Sequence, residues 1–129
     1  MTFKMEHAVD PRKEIIESIG NLDDIKIYNN WILVGVYKRP EKTAGGIILH
    51  NDTRKEDEYQ GKVGLVLKKG PLAYVDDEKT SFGGQNIDVG EWTVFRSSDG
   101  WTLQINGVLC RMLQDVQIKM AVPKPDIVF

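Results

Sequence analysis

The sequence predicts an all-β domain, on three observations. Short apolar runs recur along most of the chain, and Gly, Pro, Asn or Asp bounds each of them. Helical periodicity is confined to residues 11–19. Many short strands with frequent turns specify a barrel or a sandwich.

Each element has its own warrant. Asp10-Pro11 supplies an N-cap followed by proline at the first helical position. Ile15, Ile16 and Ile19 then fall on one face, and Gly20 is a stop signal. A short amphipathic helix is therefore expected at 11–19. It is too short to stand alone, so its isoleucines need a surface, either their own barrel or a neighbouring subunit.

Strands follow. Ile25-Lys26-Ile27 alternates, while residues 31–37 are nearly all apolar, as suits a strand covered on both faces. Residues 63–67 read the same way, and 92–95, 103–105, 108–112 and 116–122 complete the set. The turns between them are Lys69-Gly70-Pro71, Gly83-Gly84, Val89-Gly90, Asp99-Gly100 and Asn106-Gly107. The last is a two-residue hairpin signal. Two polar excursions, 40–60 and 71–84, interrupt the rhythm, and loops of that length in a compact domain are functional or disordered. Pro123 and Pro125 forbid a central strand at the end. Residues 123–129 read as an extended tail whose Ile127-Val128-Phe129 needs a docking surface.

Composition narrows the function. The 129 residues suit a single domain with one core. Hydrophobic residues make up 41% and charged ones 28%, the proportions of a globular chain. With 17 basic and 19 acidic side chains interspersed, the net charge is -2, so neither nucleic acid nor an anionic membrane is an expected partner. Cys110 is the single cysteine, which excludes a disulfide-stapled scaffold. Residues 1–10 lack a signal-peptide core, and no apolar run approaches a membrane span, so a cytoplasmic place of synthesis is expected.

No constellation for catalysis or metal binding is found. His7 and His50 have no ligand spacing, and His50, with Asp52 nearby, reads as an exposed loop residue. Cys110 lies in a strand-like run and reads as a buried, inert thiol. Gly45-Gly46 lacks the Lys-Ser/Thr ending of a phosphate loop. Glu56-Asp57-Glu58 and Asp76-Asp77-Glu78 lack the alternating oxygens of a calcium loop and read as solvated tips. The expectation is a protein that is not an enzyme, with no metal and no cofactor of its own.

Gly45-Gly46-Ile47-Ile48-Leu49 is the exception to the polarity of its surroundings. By spacing alone it reads as a short buried strand entered through a turn, with a docking segment as the other reading. Its context decides between them. Asn30-Trp31-Ile32-Leu33-Val34 leads to Lys38-Arg39, then Thr43-Ala44-Gly45-Gly46-Ile47-Ile48-Leu49, then Gln60-Gly61-Lys62-Val63, Val66-Leu67 and Gly70. Val89-Gly90-Glu91-Trp92-Thr93-Val94-Phe95 and Asp99-Gly100-Trp101 follow. This order over residues 25–122 resembles the GroES co-chaperonins, most specifically at 44–49.

The resemblance implies a partly open β-barrel with a long mobile loop at 40–60 and a roof hairpin at 71–84, preceded by the helix-bearing extension 1–24. It implies a homo-oligomeric ring, a heptamer in the family, capping a chaperonin. Gly45, Gly46, Ile47, Ile48 and Leu49 would enter an apolar groove on that partner, which would itself bind ATP. Residues 1–24 and 123–129, the short 39–45 segment, the charges after Leu49 and Trp101 depart from the usual pattern. These departures resemble GroES-like proteins of tailed phages. They imply either a co-chaperonin for a phage major capsid protein or a capsid decoration protein tethered through its apolar termini.

Overall fold

The computed structural model describes residues 10–38 and 61–128. Among these residues are one α-helix, α1 (Pro11–Ile19), and six strands: β1 (Trp31–Val36), β2 (Val63–Lys69), β3 (Trp92–Val94), β4 (Trp101–Ile105), β5 (Val108–Gln114) and β6 (Met120–Val122). They form one sheet in the order β4-β5-β1-β2-β3-β6, with every neighbouring pair antiparallel. The all-β expectation is borne out, and this open six-stranded sheet accords with a partly open barrel.

α1 begins and ends as its sequence dictates. Asp10 Oδ1 accepts from Arg12 N at 3.0 Å, Pro11 occupies the first turn, and Gly20 closes the helix at φ 75°. The Asn106-Gly107 hairpin also forms, with φ of 50° and 81°, the two positive values a tight right-twisted turn requires.

The sheet has an apolar cluster on each face. Leu33, Tyr37, Val63, Leu65, Leu67, Trp92 and Cys110 gather on one, joined by Ile19 from α1. Ile32, Val34, Val66, Ile87, Phe95 and Leu113 gather on the other. This explains why residues 31–37 show no polar alternation: both faces of β1 are covered.

The helix packs on its own barrel rather than waiting for a neighbour. Ile19 is 1% exposed, and Ile15 packs against the same cluster. Asn106 Nδ2 donates to the Ile19 carbonyl at 2.6 Å, and Lys68 Nζ donates to the Leu22 and Ile25 carbonyls at 2.6 and 2.5 Å. Val128, near the other terminus, packs against the same face.

Three expected elements differ. Residues 25–27 alternate half-buried and exposed side chains but pair with no strand: Ile25 N closes a turn on the Leu22 carbonyl, and Lys68 Nζ takes the Ile25 carbonyl. Residues 116–122 are not one strand. A 3-10 turn at Asp115–Gln117 precedes β6, held by Gln114 N donating to Gln117 Oε1 at 2.8 Å and Val116 N to Asp115 Oδ1 at 2.7 Å. The tail is not extended either: Pro125–Ile127 is a 3-10 turn in which Pro125 and Asp126 are buried.

Candidate functional site

Gly45, Gly46, Ile47, Ile48 and Leu49, the expected docking residues, lie outside the described residues, as do His7, His50 and Glu56-Asp57-Glu58. The structure does describe the frame from which that segment departs. The chain leaves β1 past Tyr37 and Lys38 and returns at Gly61 into β2. Tyr37 N donates to the Val63 carbonyl at 2.9 Å, extending the β1–β2 ladder to the point of departure. Phe95 N donates to the Lys62 carbonyl at 2.9 Å, fixing the return. The Tyr37 ring is buried and meets Trp92 edge to face, centroids 5.7 Å apart. Edge-to-face aromatic packing adds about 0.5–1.5 kcal/mol beyond area burial, so the two stems are a rigid base.

The expected roof region, 71–84, doubles back over the other sheet face. Asp77 N donates to the Thr80 carbonyl, and Asp77 Oδ1 accepts from Lys79 N and Thr80 N at 2.8 and 2.7 Å. Asp76 Oδ1 accepts from Phe82 N at 2.7 Å, and Tyr74 meets Phe82 edge to face across the reversal. The carboxylates of Asp76 and Asp77 are therefore turn-formers.

Sequence reasoning missed Asp115, which fastens this region to the barrel. Its carboxylate is buried and accepts from Asn30 Nδ2 at 3.1 Å, Tyr74 N at 3.0 Å and Val116 N at 2.7 Å. Three chain segments thus meet at one side chain. Its only sequence signal is an aspartate following an apolar strand. Gly70 shows how closely two of those segments approach: an added Cβ would stand 2.3 Å from the Asn29 carbonyl oxygen.

The titratable groups are dispersed. Cys110 is fully buried, and burial pushes its thiol up to about 11, the opposite of what a nucleophile requires. Burial pushes Tyr74 up to about 12, reinforced by the charges of Asp115 and Glu91. Arg111 is buried, with Nη1 donating to the Ser97 and Asp99 carbonyls and its guanidinium 5.3 Å from the Phe95 ring centre. Burial lowers its pKa, opposed by Asp99, whose own carboxylate is paired with exposed Arg96 at 3.1 Å. These side chains stitch turns to strands. No group of three metal-ligating side chains occurs among the described residues, and none of their helices is long and apolar enough to cross a membrane.

What the arrangement can do is present. Two strands clamped at one end bracket residues 39–60 on a rigid sheet. No curated protein matches the chain significantly. A family model described as the chaperonin 10 kDa subunit matches residues 24–122, which take in all six strands and both polar excursions. That match spans well over half of the chain, and the protein belongs to the chaperonin 10 kDa subunit family, the GroES-type co-chaperonins.

Proposed function

We propose that this protein is a non-enzymatic co-chaperonin that caps a chaperonin ring and docks through Gly45, Gly46, Ile47, Ile48 and Leu49. Members of the family form heptameric rings, partner with a chaperonin and are not enzymes. The observation that carries the reading is the family match over the barrel, combined with a Gly-Gly-Ile-Ile-Leu segment between two clamped stems. Burying a large aliphatic side chain yields roughly 1.5–3 kcal/mol, part of which ordering the segment consumes. One segment then binds weakly, and several on one ring bind by avidity, which leaves release possible when the partner changes shape. ATP belongs to the partner, and the setting is the cytoplasm in which the chaperonin works.

The finer reading is a phage-encoded assembly factor whose client is the major capsid protein. The extra residues before 24 and after 122 and the charged stretch after Leu49 support it. The other reading, capsid decoration, rested on apolar termini free to tether. Ile15, Ile19 and Val128 pack on their own barrel, whereas Ile16 and Ile127 are exposed, so only part of each terminus is available to tether.

Native mass measurement with and without a chaperonin and ATP tests the proposal. The expected result is a ring that joins the chaperonin only with nucleotide, with joining lost in Ile48→Asp. An Ile48→Asp ring that binds as well as the parent overturns the docking role. Stoichiometric protein in purified particles, with no chaperonin binding, overturns the co-chaperonin reading.

A further inference from the structure

Three exposed aliphatic side chains, Leu72, Val75 and Val116, are drawn together from separate loops around a groove of about 420 Å³. They are 52%, 50% and 46% exposed, and Phe82 lines the groove between them. Apolar side chains scattered singly need no explanation, but a cluster around a concavity marks an interaction surface.

The groove is charged as well as apolar. Among the described residues, the ionisable side chains that line it are Asp77 and Asp115. Asp115 is 3% exposed, its donors are the neutral Asn30 Nδ2, Tyr74 N and Val116 N, and no cation among the described residues pairs with it. A low-dielectric wall strengthens the field of acidic groups set in it. Next to them in the chain, Asp76, Glu78 and Lys79 are exposed, and Lys119 Nζ donates to the Val116 carbonyl at 2.8 Å, so acidic groups outnumber basic ones four to two around the groove.

The floor is pre-formed. Leu72 N donates to the Asn29 carbonyl at 2.9 Å, and Gly70 N to the Trp31 carbonyl at 2.8 Å. Tyr74 holds a left-handed φ of 61°, a conformation that persists for a bulky residue only where neighbours over-determine it. A fixed groove binds without an ordering cost of its own.

The groove lies apart from the stems that flank residues 39–60. The groove adjoins the start of β1 and the end of β2, whereas the chain departs past the end of β1 and returns at the start of β2. A six-residue strand, about 20 Å, lies between the two.

We propose that this groove is a second docking site, taking a segment of a partner protein that carries Lys or Arg among aliphatic side chains. Leu72, Val75, Phe82 and Val116 receive the aliphatic groups, and Asp77 and Asp115 select the cation. Charge complementarity of this kind sets specificity and on-rate.

The test uses the full chain and a fluorescein-labelled peptide of alternating leucine and lysine, with a leucine–glutamate peptide of equal length as control. Fluorescence anisotropy should show the lysine peptide binding about tenfold or more tightly than the glutamate peptide, and weakening with salt. Leu72→Ser combined with Val116→Ser should weaken it about tenfold. Asp77→Asn keeps an oxygen for Lys79 N and Thr80 N, so the turn survives, and it should weaken binding about threefold and flatten the salt dependence. Glu17→Gln on α1 should change nothing. Equal binding of the two peptides, binding of neither, or groove variants that bind like the parent would overturn the proposal. So would sedimentation showing self-association abolished by Leu72→Ser, since the occupant would then be a second copy.

Discussion

Gly35 on β1 lies beneath Ile15 on α1: a Cβ added to Gly35 would stand 2.8 Å from Ile15 Cγ2 and 3.3 Å from Leu67 Cδ1. Neither neighbour is backbone, so the cost is overpacking. Gly35→Ala should destabilise the fold by about 1–3 kcal/mol. Combined with Ile15→Ala, which empties the contested space, the pair should cost about 1 kcal/mol less than the sum of the single changes. Urea unfolding of the four proteins reads this directly. Strict additivity would mean that the helix does not sit on Gly35 in solution.

Ile19 carries the helix. It is fully buried in the barrel cluster, so Ile19→Ala should cost about 2–5 kcal/mol. Asp10→Ala removes only the cap bond to Arg12 N and should cost about 0.5–2 kcal/mol. Ile16, half exposed, should tolerate alanine with little change. Thermal unfolding should rank the three in that order.

Asp115 is the most demanding polar side chain. Asp115→Ala strands the donors of Asn30, Tyr74 and Val116 and should cost roughly 2–4 kcal/mol. Asp115→Asn retains one acceptor oxygen but turns an amide toward Tyr74 N, so its cost should be intermediate. Amide hydrogen exchange should show the loss concentrated in residues 70–82.

Alkaline conditions should unfold the protein through two groups. Cys110 is pushed up to about 11 and Tyr74 to about 12, while both ordinary values lie lower, at 9.0 and 10.0. The unfolded chain therefore loses these protons first, and stability falls as pH rises. The stability is fully present below about pH 9 and declines between 9 and 12. Cys110→Ala should flatten the lower part of that decline, by an amount on the order of 3 kcal/mol at most. In the native state at pH 8 the thiol should resist alkylation, becoming reactive only in denaturant.

Legibility followed locality. Asp10-Pro11 and Gly20 announced α1, and Asn106-Gly107 announced its hairpin, because each signal and its structure lie within a few residues. Residues 25–27 misled because alternation specifies a half-buried face but not a partner, and Lys68, distant in sequence, supplies the competing bond. Residues 116–118 misled because side chains of Gln117 and Asp115 cap the local backbone in place of a ladder. The Leu72–Val116 groove had no local signature at all. Its walls come from three loops, and the Asp115 carboxylate and the close approach of Gly70 to Asn29 bring them together. The family resemblance was readable because it rests on order and spacing across the whole barrel, which single pairings do not disturb.

The sheet order has a consequence for biosynthesis. β1 is central, yet one of its two partners is β5, and Trp31 pairs with Gln114. At roughly 5–20 residues per second, the first of these must wait some 4 to 17 s for the second. Until then one edge of an almost wholly apolar strand is open, and α1 lacks the Asn106 amide that holds its last carbonyl. The hairpin of β4 and β5 forms locally and late, and its arrival completes both at once. The nascent chain is thus itself exposed to mispairing for most of its own synthesis, and its final quarter carries the commitment to fold.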